Sequence, residues 1–184
     1  MDNLDGAYVS RNKALVVAGL KTALRVSELL AWKVGDVLDL STGRFKPRIY
    51  LARKNLKGRK SGRSIPFNRA AAFCIGRWLV ELRRRGVPLH HDLPLFLSRQ
   101  GTDFRAIDRS TAFRIMQTAA RKAGLPDGVG THTLRKTAAK RAYAASGHDL
   151  LAVMKFLAHR QITTTVTYLS WELEEKSDRL IMGL

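Results

Sequence analysis

The chain has 184 residues, with 33 lysines and arginines against 15 aspartates and glutamates and a formal charge of +18. That length fits one domain with a sizeable core, and the absence of an apolar run of about 18 residues or of a hydrophobic segment after Met1 argues against a membrane partner and for a cytoplasmic protein. A single-sign charge excess spread along the whole chain attracts polyanions, which makes nucleic acid the expected partner, and the single cysteine, Cys74, excludes an intrachain disulfide.

Taken in order, Ala14, Leu15, Ala18 and Leu20 approximate a helical stripe over Ser10–Ala23, with Ser10 as its N-cap. A second short helix is expected from Ser27, with Glu28 favouring the positive end of its dipole. Arg25 then falls at a helix junction, free to point into a cleft. After Asp36 the pattern changes. Arg48–Arg53 and Arg63–Phe67 read as strands joined by a glycine-bearing basic turn, and Ser41-Thr42-Gly43 as another turn. Together they predict a small antiparallel sheet of about three strands, with Pro66 at an edge or strand end.

Asn68 is placed to cap a helix over Arg69–Arg85, whose apolar face carries Ala72, Cys74, Ile75, Trp78, Leu79 and Leu82. Cys74 therefore reads as a packed thiol. His90-His91-Asp92 lacks two further ligands at finger-like spacing and reads as a solvated turn. Leu95–Leu97 is a short apolar run before a polar loop. Asp108 or Ser110 caps a helix through Ala123, with Phe113, Met116 and Ala120 inward. Glycines and a proline between Gly124 and Gly130 end it, and helices over Leu134–Ser146, Asp149–Leu157 and Thr163–Tyr168 complete the pattern. The fold class is α+β: a mainly helical domain with a small sheet on one side.

The chemistry concentrates between Thr131 and Tyr168. His132 and Arg135 open this stretch; Leu157-Ala158-His159, a threonine run over Thr163–Thr165 and Tyr168 close it. Taken singly, each has a plainer reading. Arg25 can pair with Glu28 or Asp36, either histidine can be a satisfied core residue, and Tyr168 can be a packed ring. Their serial order changes the weighing. Thr22–Leu30 around Arg25, the basic hairpin Lys57–Pro66, His132-x-x-Arg135, Leu157-Ala158-His159 and Tyr168 together resemble the tyrosine recombinases, the phage-type integrase family, over about Arg11–Leu184.

The resemblance implies a site-specific recombinase or integrase that cleaves and rejoins double-stranded DNA through a 3′-phosphotyrosyl link, with no cofactor, metal or small-molecule substrate. A phosphodiester resists nucleophiles and gains charge as it is cleaved, so fixed donors must face its nonbridging oxygens. Arg25 and Arg135 suit that task, because a guanidinium forks onto two oxygens and stays protonated. Tyr168, with an ordinary pKa of about 10, needs proton removal to attack, and His132 is the general base or shuttle. His159 is expected to donate to a nonbridging oxygen. The family's leaving-group lysine sits on the hairpin, where Lys54, Lys57 and Lys60 compete; Lys57 is favoured by its distance from Pro66. Lys54, Arg59, Lys60, Arg63, Lys136 and Arg160 are candidate DNA contacts.

The sequence departs from the family at Lys136, where histidine is common, and at Thr133, where an acidic residue is common. The expected organisation is one catalytic domain over 1–184 without the family's N-terminal core-binding domain. Leu173, Leu180, Ile181 and Leu184 give the segment 169–184 an amphipathic face. It is expected to dock on a neighbouring protomer, in a dimer or tetramer on DNA, or to pack on its own domain. Two other readings remain open: a type IB topoisomerase-like enzyme, and a noncatalytic DNA-binding regulator that keeps the fold.

Overall fold

The computed structural model describes residues 8–53, 61–98, 104–126 and 128–170. The elements in chain order are α1 (Val9–Thr22), α2 (Val26–Leu30), α3 (Val34–Val37), β1 (Leu38–Asp39), β2 (Arg44–Phe45), β3 (Arg48–Leu51), β4 (Arg63–Pro66), α4 (Arg69–Arg84), α5 (Arg109–Lys122), α6 (Thr131–Ala145), α7 (Leu150–Leu157) and α8 (Ile162–Tyr168). The mainly helical α+β expectation holds. No helix among the described residues is long and apolar enough to cross a membrane.

Helix α1 is the hub. It is buried almost all round, from Ala14 to Gly19, and packs on α4 on one side and α6 on another. A helix apolar on every face belongs inside. Gly19 permits the close approach of α6, because a Cβ there would lie 2.7 Å from a terminal methyl of Leu134. A large cluster around Leu15, Leu29, Trp32, Trp78 and Phe96 forms the main core, with Cys74 packed against it. A smaller cluster joins Ala23 at the end of α1 to Ala138, Ala139 and Tyr143 of α6, Val153 and Leu157 of α7, and Leu169. Tyr168 packs against this second cluster.

The sheet differs in detail from the one expected. Two separate antiparallel ladders form, β1 with β2 and β3 with β4, the latter in register from Arg48 opposite Pro66 to Leu51 opposite Arg63. Pro47 explains the break, since it has no N–H to continue a ladder between β2 and β3. Its carbonyl instead accepts from Phe67 N at 2.9 Å, while Lys46 N donates to Val37 O at 2.9 Å. Along β3 the burial alternates, Ile49 and Leu51 in, Arg48 and Tyr50 out.

Asn68, Asp108 and Asp149 cap α4, α5 and α7 as their side chains suggest, each accepting main-chain N–H bonds in the first turn. Two starts differ. Tyr8, not Ser10, precedes α1, its ring lying 4.8 Å from the Arg11 guanidinium and 4.4 Å from that of Arg85. Helix α2 begins at Val26, so Ser27 is inside it and Arg25 is the N-cap. Phe113, expected inward, is 41% exposed. The His90–Asp92 turn is tied to α3: Gly35 N donates to His91 O at 3.0 Å, and Asp92 pairs with Lys33. The hairpin turn with Lys54, Lys57, Arg59 and Lys60, and the amphipathic stretch from Leu173 onward, lie outside the described residues.

Candidate active site

Arg135 is the anchor. It is 2% exposed and sits in the second turn of α6. Thr133 supports that turn by accepting from Gly130 N at 3.0 Å, so the threonine at this departure from the family pattern still performs the back-capping of an N3 residue. The Arg135 guanidinium donates through Nη1 to Ala23 O and through Nη2 to Leu157 O at 2.6 Å. Its Nε–H has no acceptor among the described residues. Both carbonyls lie at helix ends whose cap residues are left-handed alanines, Ala23 at φ 53° and Ala158 at φ 56°. Such backbone is costly for a residue with a Cβ and persists where the surroundings demand it.

His159 follows the second of these alanines. Its Nε2 lies 3.2 Å from Arg135 Nη2 and its Nδ1 lies 3.0 Å from Thr165 Oγ1. Burial, then the charges of Arg135 and Arg25, push its pKa down to about 4, so the imidazole is neutral at pH 7. Tyr168 closes α8. Its ring meets that of His159 edge-on, with centroids 5.3 Å apart and planes at 67°, and lies 5.9 Å from the Arg135 guanidinium carbon. Arg135, in turn, has its own pKa lowered, first by burial and then by Arg25.

Arg25 caps α2 through its backbone. Buried Glu28 accepts from Arg25 N at 2.9 Å and from Arg25 Nη1 at 3.1 Å. The ion pair foreseen with Glu28 therefore exists, and it leaves the arginine side chain 41% exposed. Structural pairing and phosphate binding are compatible here, because one edge of the fork is held while the rest faces out.

The structure thus gathers Arg135, His159 and Tyr168, with the charge of Arg25 acting on the first two. His132 is exposed on the first turn of α6 and its side chain makes no hydrogen bond among the described residues. Lys136 and Arg160 are exposed. Arg63, on β4, lines a cleft of about 450 Å³ that His159 also lines, together with Lys21, Met154, Lys155 and Phe156. Lys21 and Lys155 escaped sequence reading because nothing but charge marks them. Thr165 also escaped it, although the threonine run stood in view; only its burial, 0% exposed, singles it out. Among the described residues no group of three or more histidines, cysteines or carboxylates could hold a metal ion.

Known proteins resemble this chain in sequence and in fold. Residues 1–174 match the model of the phage integrase family. Tyrosine recombinase XerD of Mycobacterium leprae is 32% identical over 170 residues, covering 89% of this chain and 49% of that protein. Tyrosine recombinase XerC of Mycobacterium bovis BCG Pasteur is 35% identical over 159 residues, covering 86% of this chain and 49% of that protein. The chain spans about half the length of these curated relatives. Among solved structures, the XerH site-specific recombinase bound to its difH substrate superposes with a TM-score of 0.69 at 23% identity, covering 96% of this chain and 48% of the other, a likeness of fold. The XerA recombinase superposes with a TM-score of 0.65 at 25% identity, covering 86% of this chain and 51% of the other. The motifs in series, the fold and the matched length agree: the chain belongs to the phage integrase family.

Proposed function

We propose that this chain is the catalytic part of a tyrosine-type site-specific DNA recombinase acting on double-stranded DNA. One observation carries the reading: Arg135, His159 and Tyr168, brought together from α6, the turn after α7, and α8, adjoin a cleft flanked by cations. In this reading a scissile phosphate takes the exposed edge of Arg25 and the donors around Arg135, which stabilise charge on its nonbridging oxygens. The Tyr168 hydroxyl attacks phosphorus. The bond to the 5′ oxygen breaks as the phosphotyrosyl bond forms, the tyrosine proton passes to a base, and the leaving oxygen takes a proton to become a hydroxyl.

His132 is the proposed base, and Lys57, on the hairpin, the proposed donor to the leaving oxygen. Lys54, Arg59, Lys60, Arg63, Lys136 and Arg160 are proposed to grip the backbone. The phosphotyrosyl link keeps the energy of the broken bond, so reversal by a new 5′-hydroxyl rejoins the strand without a cofactor. Copies of the chain are proposed to associate on DNA through the segment 169–184, and the protein to work in the cytoplasm.

The test is covalent trapping on a nicked duplex whose short 5′ fragment diffuses away after cleavage, using sequences that flank the gene. An adduct that maps to Tyr168, lost in Tyr168→Phe while duplex binding persists, is the expected result. Attachment surviving Tyr168→Phe would refute the nucleophile. Tight binding with no adduct from the unaltered chain would favour a noncatalytic DNA-binding protein, and relaxation of supercoils without paired sites would favour a topoisomerase.

A further inference from the structure

Thr165 is fully buried, one helical turn before Tyr168 on α8. A threonine inside a helix commonly returns its hydroxyl to the carbonyl four residues back, as Thr167 does to Thr163 O at 3.0 Å. Thr165 instead turns its Oγ1 to His159 Nδ1 at 3.0 Å. The other ring nitrogen faces Arg135 Nη2 at 3.2 Å. A guanidinium has donors and no acceptor, so Nε2 must offer its lone pair there. The single ring proton of the neutral histidine is then on Nδ1, and Thr165 Oγ1 accepts it.

We propose that Thr165 is a positioning residue of the active site, which holds His159 as the Nδ1–H tautomer with Nε2 aimed at the place where Arg135 meets a phosphate oxygen. The catalytic side of this proposal rests on the function argued above. Nδ1 carries a proton in both the neutral ring and the imidazolium, so the bond to Thr165 survives when Nε2 gains a proton. A phosphate oxygen arriving at Arg135 sets an anion against the repulsive cation beside Nε2, which favours that gain. His159 then changes from acceptor to donor without turning its ring. Partners that orient a functional histidine through its second nitrogen are worth 10–100-fold where they have been removed in metal sites.

Two measurements on the full chain test this. Histidine ¹⁵N NMR of the DNA-free protein at pH 7 should show His159 protonated at Nδ1 and bare at Nε2. Thr165→Val, which keeps shape and removes the acceptor, should raise the Nε2–H form, and Thr165→Ser should restore the original. On a nicked duplex that traps the unaltered chain, Thr165→Val should slow adduct formation at least ~10-fold with duplex binding unchanged, and Thr165→Ser should stay within about threefold. An Nε2–H tautomer in the unaltered chain overturns the proposal, as does a Val variant that cleaves normally or a Ser variant no better than Val. If Thr165→Val fails to fold, the tautomer of the unaltered chain and the Ser variant still decide. If the unaltered chain forms no adduct on any DNA, the functional reading fails while the NMR result still judges the role of Thr165.

Discussion

Arg135 engages its two terminal nitrogens with the carbonyls of Ala23 and Leu157, so the same side chain ties α6 to the ends of α1 and α7 and, in the proposed function, also serves the scissile phosphate. Its loss must therefore act twice. Arg135→Ala should lower cleavage at least ~100-fold, as removal of an oxyanion donor does, and should also cost about 2–4 kcal/mol of stability by stranding two buried carbonyls. Denaturant melts beside trapping assays separate the effects; a loss of cleavage below about threefold would remove Arg135 from the site. His159 gives a pH signature. Its folded pKa, about 4, lies below the ordinary 6.5, so between those values the unfolded chain binds the proton that the folded chain refuses. This contribution to stability is complete above pH ~6.5 and is lost as pH falls toward ~4. His159→Gln should flatten that part of the stability curve, and an unchanged slope would show that other groups carry it.

The elements around the site are held at their ends. Asp149 Oδ1 accepts from Leu151 N at 2.8 Å and Ala152 N at 3.0 Å, starting the helix that delivers Leu157 O and His159. Asp149→Ala should cost about 1 kcal/mol, the usual worth of such a cap, and a chemical melt will read it. At the other end Ala158 adopts φ 56°, where glycine carries no Cβ penalty. Ala158→Gly should raise stability by up to ~1 kcal/mol; a lower midpoint would mean that the methyl packs better than the backbone suffers. These ends also show what the sequence could and could not tell. Asn68, and Asp108 beside its alternative Ser110, were legible because a capping side chain precedes an apolar period. The start of α2 was not, because its cap comes from Glu28 reaching backward, and the divided sheet was not, because the effect of Pro47 depends on which strands would have met.

At the scale of the molecule, the site exists because α1 crosses α6 closely enough, at Gly19 and Leu134, to join residues 112 positions apart through Arg135 and Ala23. Of the residues that motif order singled out, Arg135, His159 and Tyr168 meet there, while His132 stands exposed and apart. Motif order could not foretell the partner of His159 Nδ1, which depends on how α7 and α8 turn at Ala158, or the exposure of His132 on α6. Nor could it say where the +18 charge would gather. The structure puts Lys21, Arg63 and Lys155 along the cleft beside His159, with the exposed edge of Arg25 acting on the same histidine. If duplex DNA lies along these cations, binding must release counterions. For about six phosphate contacts the slope of log affinity against log salt should be near −5, a loss of about 10³-fold between 50 and 200 mM salt. Fluorescence anisotropy with a labelled duplex measures it. Lys21→Ala and Lys155→Ala should each reduce the slope by about 1 while weakening all duplex sequences alike, the signature of a backbone contact. A flat salt response would remove duplex DNA as the ligand of this cleft, and a normal slope that neither substitution alters would place the DNA on another face.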